Sequence, residues 1–259
     1  NFKLRSNSYS GLFSRVENGA IRNLTIENAV TPSTYTYSYV GALAGNVKFA
    51  TVENVHIKDC SIKSSDNYVG GMAGYGDGIV FDGIIVEETQ VKGTSYVGGG
   101  TGYIKGNKIV NTEVSDCSVE ATTSYAGGFA GAIGGYQSSV TLRNYVGNNN
   151  TVKAGNGVDN GDYAGGFAGN ATNGSGLTND NMTINGGSVS GRDYVGGLVG
   201  VETNMTPTTI NCSAIVTGRD WVGGIVGSGI GSMYGSRWNF TGEVEGRNKV
   251  GGLVGGTSS

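Results

Sequence analysis

The stretch "DYVGGLVG" at residues 193–200 decides the architecture, because it recurs along the chain. It holds one aromatic, two valines, one leucine and three glycines, and versions of it stand at 124–131 ("SYAGGFAG"), 162–169 ("DYAGGFAG") and 220–227 ("DWVGGIVG"). Anchoring on the aromatic before the glycine pair gives Tyr39, Tyr68, Tyr96, Tyr125, Tyr163, Tyr194 and Trp221. A degenerate first copy, "YSGLFS", adds Tyr9, and in a last copy, "KVGGLVG", Lys249 takes the aromatic place. The successive intervals are 30, 29, 28, 29, 38, 31, 27 and 28 residues, and nine copies at so even a spacing mark a repeat architecture.

The second half of each unit repeats too. "IRNLTIENAV" (21–30), "VENVHIKDCSI" (52–62), "FDGIIVEETQV" (81–91), "IVNTEVSDCSV" (109–119) and "TNDNMTINGGSV" (178–189) align to put Leu24, Val55, Ile84, Thr112 and Met182 in one column. Ile26, Ile57, Val86, Val114 and Ile184 form a second column, and Ile62, Val91, Val119 and Val189 a third. Alternation with period two is the strand signal, and no stretch keeps a 3.6-residue period for three turns. A unit with two or three short strands cannot bury its apolar face alone, whereas parallel stacking joins the Ile and Val columns into a continuous interior.

The predicted fold is therefore all-β. It is one parallel β-solenoid over residues 1–259, of about nine rungs of 27–31 residues, right-handed by the usual preference of parallel crossovers. At ~4.8 Å per rung the rod is on the order of 40 Å long. The one long interval contains "GNNNTVKAGNGVDNGD" (147–162), read as a polar loop inserted into one rung. Within the opening phrase the paired glycines mark a sharp corner or a close backbone approach. Val195 and Val199 are assigned to one strand face, Tyr194 and Leu198 to the other.

Composition agrees and narrows the function classes. Gly fills 49 of 259 positions while Pro is present only twice, as Pro32 and Pro207, which excludes collagen. Recurring apolar residues and 14 tyrosines argue against disorder. A net charge of −3 with no Lys/Arg block argues against a nucleic-acid partner. No apolar run is long enough to cross a bilayer as a helix, so no membrane insertion is expected. The chain starts at Asn1 and has no secretory leader, as expected of a piece of something longer.

The phrases "YVGALAG", "YVGGMAG", "YAGGFAG", "YVGGLVG" and "WVGGIVG" resemble the GLUG-motif repeats of bacterial surface proteins, over nearly the whole chain from about residue 9 to 256. The resemblance implies a β-solenoid in a secreted or cell-wall protein, such as an adhesin or the non-catalytic region of an immunoglobulin A peptidase. It brings an extracellular location and no catalytic residue. The pattern is broken at the first rung and at Gly100–Thr101 ("YVGGGTG").

Four constellations bear on chemistry. Cys60 and Cys117 share a column two rungs apart, with Thr89 between them, and Cys212 stands elsewhere in its repeat. Twice the strand spacing exceeds the ~7 Å a disulfide tolerates, so three free, buried thiols are expected. His56, the one histidine, lies between the inward Val55 and Ile57 and is expected to face outward as an ordinary surface residue. Asp59, Glu88 and Asp116 form an acidic column, between Asn28 and Asn149. Its plain reading is a solvated turn. Stacked oxygen ligands can also hold calcium, the one cofactor considered, and closely spaced carboxylates suit a retaining glycosidase. Arg192, Arg219 and Arg247 form a basic column in "SGRDYVGG", "TGRDWVGG" and "EGRNKVGG". Its plain reading is a ladder screened by Asp193 and Asp220. With Tyr194 and Trp221 alongside it also makes the preferred ligand surface, suited to an acidic glycan.

Three functions follow. The first is a non-enzymatic structural or adhesive segment of a bacterial extracellular surface protein, touching glycan or host matrix along its side. The second is a self-associating filament or assembly subunit that stacks through open solenoid ends. The third is a polysaccharide-degrading β-helix enzyme using Asp59, Glu88 and Asp116.

Overall fold

The computed structural model describes residues 8–257 except 32–37, 107, 135–139, 156–161, 172–176, 203–204, 208 and 230–236, and gives the backbone alone for 177–179 and 205–207. Every strand pairing is parallel, and the described residues contain no helix. The chain winds into a β-solenoid of four sheets, so each complete turn carries four strands rather than two or three. Sheet I holds the short strands at the aromatic phrase, from Tyr9–Ser10 to Asn248–Gly251. Sheet II runs from Phe13–Glu17 to Val254–Thr257, and both of these sheets have nine strands. Sheet III has eight on its main path, from Ala20–Glu27 to Arg237–Phe240, and sheet IV has seven, from Ser61–Lys63 to Glu243–Glu245. The predicted nine rungs thus hold on two faces, and seven turns carry all four sheets.

The aligned columns are real registers. Leu24 pairs with Val55 and Val55 with Ile84; Ile57 pairs with Val86 and Val86 with Val114; Ile62 pairs with Val91 and Val91 with Val119. From the second turn on these side chains are almost wholly buried and belong to one continuous core. A further core column, Leu43, Met72, Gly100, Phe129, Phe167, Leu198 and Ile225, comes from the corner between sheets I and II. The irregular Gly100 has a packing reason: a Cβ there would lie 2.5 Å from the Phe129 ring, which fills the space the glycine leaves.

The phrase at 193–200 is not one strand, as the sequence reading had it, but two. Asp193–Gly196 lies in sheet I, Val199–Glu202 in sheet II, and Gly197 and Leu198 turn the corner. Leu198 is therefore buried with Val195 and Val199, while Tyr194 sits at φ +54° with its side chain half-buried on the outside. Each glycine answers to a different neighbour. A Cβ on Gly196 would meet Val199 O of its own turn at 2.0 Å, and one on Gly197 would meet Gly224 O of the next turn at 2.1 Å. At Gly200 it would meet Gly169 O at 2.4 Å and Tyr194 O at 2.6 Å. Sheets I and II thus pack main chain against main chain, a seam that leaves no room for a side chain.

Left-handed residues recur in register and bend each turn. Inside the sheet III strands they are Asn23, Asn54, Gly83, Asn111, Asn144 and Asn181, with φ between +48° and +65°. Asn tolerates this region better than most L-residues. Several of these asparagines also bond across turns, Asn54 Nδ2 donating to Asn23 Oδ1 (3.2 Å) and Asn144 Nδ2 to Asn111 Oδ1 (3.0 Å), while Asn111 Nδ2 donates to Asp82 Oδ1 (3.0 Å).

The segment predicted as a loop at 147–162 contains strand residues at 147–148 and 151–154. Val140–Asn148 completes a sheet III strand and Thr151–Ala154 is a sheet IV strand; residues 156–161 lie outside the described residues. The polar composition misled because Asn149 takes a left-handed corner position and Asn150 is buried as a hydrogen-bonding relay.

Candidate functional site

The three arginines stack as the sequence spacing requires. Arg219 N–H donates to Arg192 O (2.6 Å) and Arg247 N–H to Arg219 O (2.8 Å), while Asp193 pairs in register with Asp220 and Asp220 with Asn248. Arg219 is held between two carboxylates, with Nη2 2.9 Å from Asp193 Oδ1 and Nε 2.6 Å from Asp220 Oδ2. The bond to Asp220 leads the effects that hold its guanidinium above its usual pKa. Asp220 is held below the usual carboxylate value, first by the amide of Asn248 (2.6 Å) and then by Arg219. Arg192, whose side chain is 15% exposed, lies 3.8 Å from Asp193. The ladder is thus internally neutralised over Arg192 and Arg219. It opens at Arg247, whose side chain is 66% exposed and whose Nη2 lies 3.6 Å from Asp220 Oδ2. An open groove of about 1030 Å³ runs beside it, lined by Tyr163, Arg219, Asp220, Trp221, Arg247 and Lys249 among others.

Tyr194 and Trp221 do stand next to this ladder, but they are not free platforms for a sugar ring. They belong to a column of rings from Tyr9 to Trp221 in which each ring stacks on the next; Tyr163–Tyr194 centroids are 4.9 Å apart and Tyr194–Trp221 centroids 5.9 Å. The remaining face of Trp221 is covered by Lys249 Nζ, 3.3 Å from the ring centroid. From Tyr39 to Trp221 both faces of every ring are covered in this way, which leaves the edges to solvent. Tyr68, Tyr96, Tyr125, Tyr194, Trp221 and Lys249 all have positive φ, a conformation that is strained for bulky residues and that the stacking helps to hold. A second, shorter stack, Tyr75 on Tyr103 at 5.6 Å, packs edge-on against the first.

Asp59, Glu88 and Asp116 line the corner between sheets III and IV, each exposed and each at positive φ. They form a ladder on the rod's outside, and Lys58 Nζ lies 3.9 Å from Glu88 and 3.4 Å from Glu87. Among the described residues no three His, Cys, Asp or Glu side chains come together to hold a metal ion. His56 faces outward, Nε2 3.0 Å from Glu87 Oε1.

Cys60, Cys117 and Cys212 are free and buried, as the spacing requires. The first two act as relays at the corner. Cys60 Sγ accepts from Ala29 N–H (3.4 Å) and donates to Lys58 O (3.1 Å), and Cys117 Sγ–H donates to Ser115 O (3.2 Å). Thr89 and Asn150 play the same part in the intervening and following turns, Thr89 accepting from Cys60 N–H and Asn150 from Cys117 N–H. Burial pushes the thiols of Cys117 and Cys212 up to about 12 and about 11, so they stay protonated and unreactive near neutral pH.

The sequence reading missed two buried carboxylates. Asp162 occupies the place of Asp193 and Asp220 before the aromatic, a signal legible in "GDYAGG". Glu202 is 1% exposed in a column whose preceding turns supply Val47, Gly76, Ile104, Ile133 and Ala171, and nothing in its local sequence announces it.

No protein-family model matches the chain, and neither does any curated protein or any solved structure.

Proposed function

We propose that this chain is a non-enzymatic structural and adhesive segment of a bacterial extracellular surface protein, and that it holds an acidic glycan beside Arg247 and Lys249. The resemblance of its phrases to GLUG repeats supports the location. A rod whose sides are closed by mutually satisfied ladders suits a spacer. The ligand reading rests on one observation. Asn248 stands where the two preceding turns have Asp220 and Asp193, so Arg247 meets one carboxylate at 3.6 Å where Arg219 meets two. Lys249 adds a second cation at the same edge, in a groove wide enough for a sugar chain. Carboxylated or sulfated sugars offer the oxyanions that a guanidinium fork and an ammonium recognise.

The test is a panel of bacterial, plant and host polysaccharides, read for retention and for released reducing ends. Retention of acidic members, weakened by salt and lost in Arg247→Ala, is the expected result. Reducing ends that disappear in Glu88→Gln would overturn it in favour of an enzyme at the acidic column.

A second reading, end-to-end assembly, is favoured by the end columns. Leu253 continues the column of Leu198 and Ile225 yet is 43% exposed, and Leu12 and Phe13 are 40% and 42% exposed at the other end. A further rung, from the same polypeptide or from a second copy, would cover them. Sedimentation over a range of concentrations tests this: association that Leu253→Asp abolishes supports it, and a constant monomer removes it.

A further inference from the structure

The aromatic column has a property that packing alone does not use. From Tyr9 to Trp221 its eight rings form one unbroken series, with centroids 5.1, 4.9, 4.8, 4.7, 4.8, 4.9 and 5.9 Å apart and planes within 21° of parallel. Seven of these rings are phenols and one is an indole, groups that yield a single electron to strong oxidants. All are half-buried, close enough for electrons to pass from ring to ring and near enough to water to release a proton. The series is also polar. Lys249 Nζ, 3.3 Å above the Trp221 ring at the end of the series, disfavours positive charge on that indole, so an oxidised indole there gives up its N–H proton and leaves a neutral radical whose one ring neighbour is Tyr194.

We propose that the ladder carries one-electron oxidising equivalents along the rod, from Trp221 to the tyrosines of the first turns. A one-electron oxidant of the peroxide-derived radical class takes an electron from Trp221, whose indole N–H gives its proton to water, leaving a neutral indolyl radical. Tyr194 then gives an electron to that radical and its phenolic proton to water, while the indolyl nitrogen regains a proton from water. The net change is one hydrogen atom moved from Tyr194 to Trp221. The same exchange passes the radical from phenol to phenol until an external thiol or phenol quenches it by donating a hydrogen atom. This activity is independent of any ligand on the side of the rod: it moves an oxidative hit from one end of the segment to the other. The three buried thiols lie in the interior, off the ladder's path.

The test uses the chain with Trp238→Phe, which leaves Trp221 as the one tryptophan. Azide radicals generated by pulse radiolysis oxidise the indole. Time-resolved absorption follows conversion of indolyl to phenoxyl radical, and a nitrone spin trap with peptide mass spectrometry locates the radical. Conversion is expected to be first-order and independent of protein concentration, with adducts at Tyr9, Tyr39 and Tyr68. The double block Tyr96→Phe with Tyr125→Phe keeps the rings and removes the phenols. It should abolish adducts at those three positions while Tyr163 and Tyr194 keep theirs. Moving the block to Tyr39→Phe with Tyr68→Phe should move the boundary, so that of the column's five remaining tyrosines Tyr9 alone loses its adduct. Unchanged melting of both variants shows that the stack persists. Adducts at the far tyrosines that survive either block, or conversion that scales with protein concentration, would overturn the proposal.

Discussion

The two sides of each turn are held together by opposite means. Between sheets I and II main chain lies on main chain, and a methyl at Gly131 would sit 2.4 Å from Tyr96 C and Val97 N. On the other side, towards sheets III and IV, side chains fill the space. One column that starts from the corner between sheets I and II and points into this space runs through leucine, methionine, glycine, phenylalanine and isoleucine without interrupting the stack. Volume can be traded between turns in the core, as Gly100 yields room to Phe129, but a peptide group in the seam has nothing to trade. Conserved-looking glycine and variable-looking hydrophobe are thus two answers to one packing requirement.

The sharpest break of this contrast is Gly131→Val, which forces a branched side chain into the main chain of the preceding turn. We expect a loss of more than about 3 kcal/mol, enough to remove the cooperative melting transition. Gly252→Ala is its control: nothing lies within 4 Å of a Cβ there, and its melting should match the parent within about 0.5 kcal/mol. Gly224→Ala, in the same column but facing Gly252 O at 2.2 Å, should fall between them, since Ala42 occupies the equivalent place in an earlier turn.

In the core, Phe129→Ala should cost about 3–5 kcal/mol through the cavity it leaves. Gly100→Ala should also destabilise, but less once Phe129 is shortened to leucine. A double-mutant cycle read by denaturant unfolding should give a coupling of roughly 1–2 kcal/mol. Additive effects would mean that the two turns do not share that space.

Alkali offers a smaller, distributed probe. The thiols of Cys117 and Cys212 are raised from their ordinary 9.0 to about 12 and about 11, and the phenols of Tyr75 and Tyr125 from 10.0 to about 12, burial being the first cause each time. Between those values the unfolded chain has lost protons that the folded chain keeps, so stability falls as pH rises above about 9. Cys117→Ser should flatten the first part of that fall in melting curves. A slope unchanged by the substitution would show that the thiol is not a contributor.

The least effect lies outside both regions. Asp220 is held below its ordinary 3.8, so what it contributes is present above that value and is lost as pH falls through its folded value. Because Asn248 is the leading cause, Asn248→Ala should move the titration of Asp220 upward by more than Arg247→Ala does, as read by carboxyl NMR shifts.

The core side of this comparison was legible in the sequence and the seam side was only half so. Period-two alternation located Val55, Ile57 and Ile62 and their columns, because burial on one face of a strand leaves a direct mark. Matching repeat positions placed Cys60 and Cys117 apart and Arg219 beside Asp193. The glycine pairs announced a tight approach, yet not that the phrase divides between two sheets, since that depends on which way the chain turns after Gly196. The positions of the aromatic column anchored the repeat, but its geometry was the least legible part. A tyrosine at positive φ leaves no local trace, and stacking between residues some 30 positions apart is set by the rung repeat. The Arg column was placed correctly, but the closing of the ring faces beside it was hidden for the same reason.

One feature of the winding bears on how such a chain can change. The corner between sheets III and IV is always two residues long, from Asp59–Cys60 to Thr241–Gly242. The connection from sheet II to sheet III is not: Phe49–Ala50 suffices in an early turn, while in later turns the described strands Ala130–Ile133 and Val140–Asn148 are separated by six residues along the chain and Val226–Gly229 and Arg237–Phe240 by seven. The connection from sheet IV to sheet I varies likewise: Thr94–Tyr96 spans it in one turn, while the described strands Thr151–Ala154 and Ala164–Gly165 are separated by nine residues along the chain in another. Two edges of the rod are therefore writable and two are not. Foreign peptides grafted at the writable edges would be displayed at fixed heights, one rung apart, without disturbing the winding that carries them.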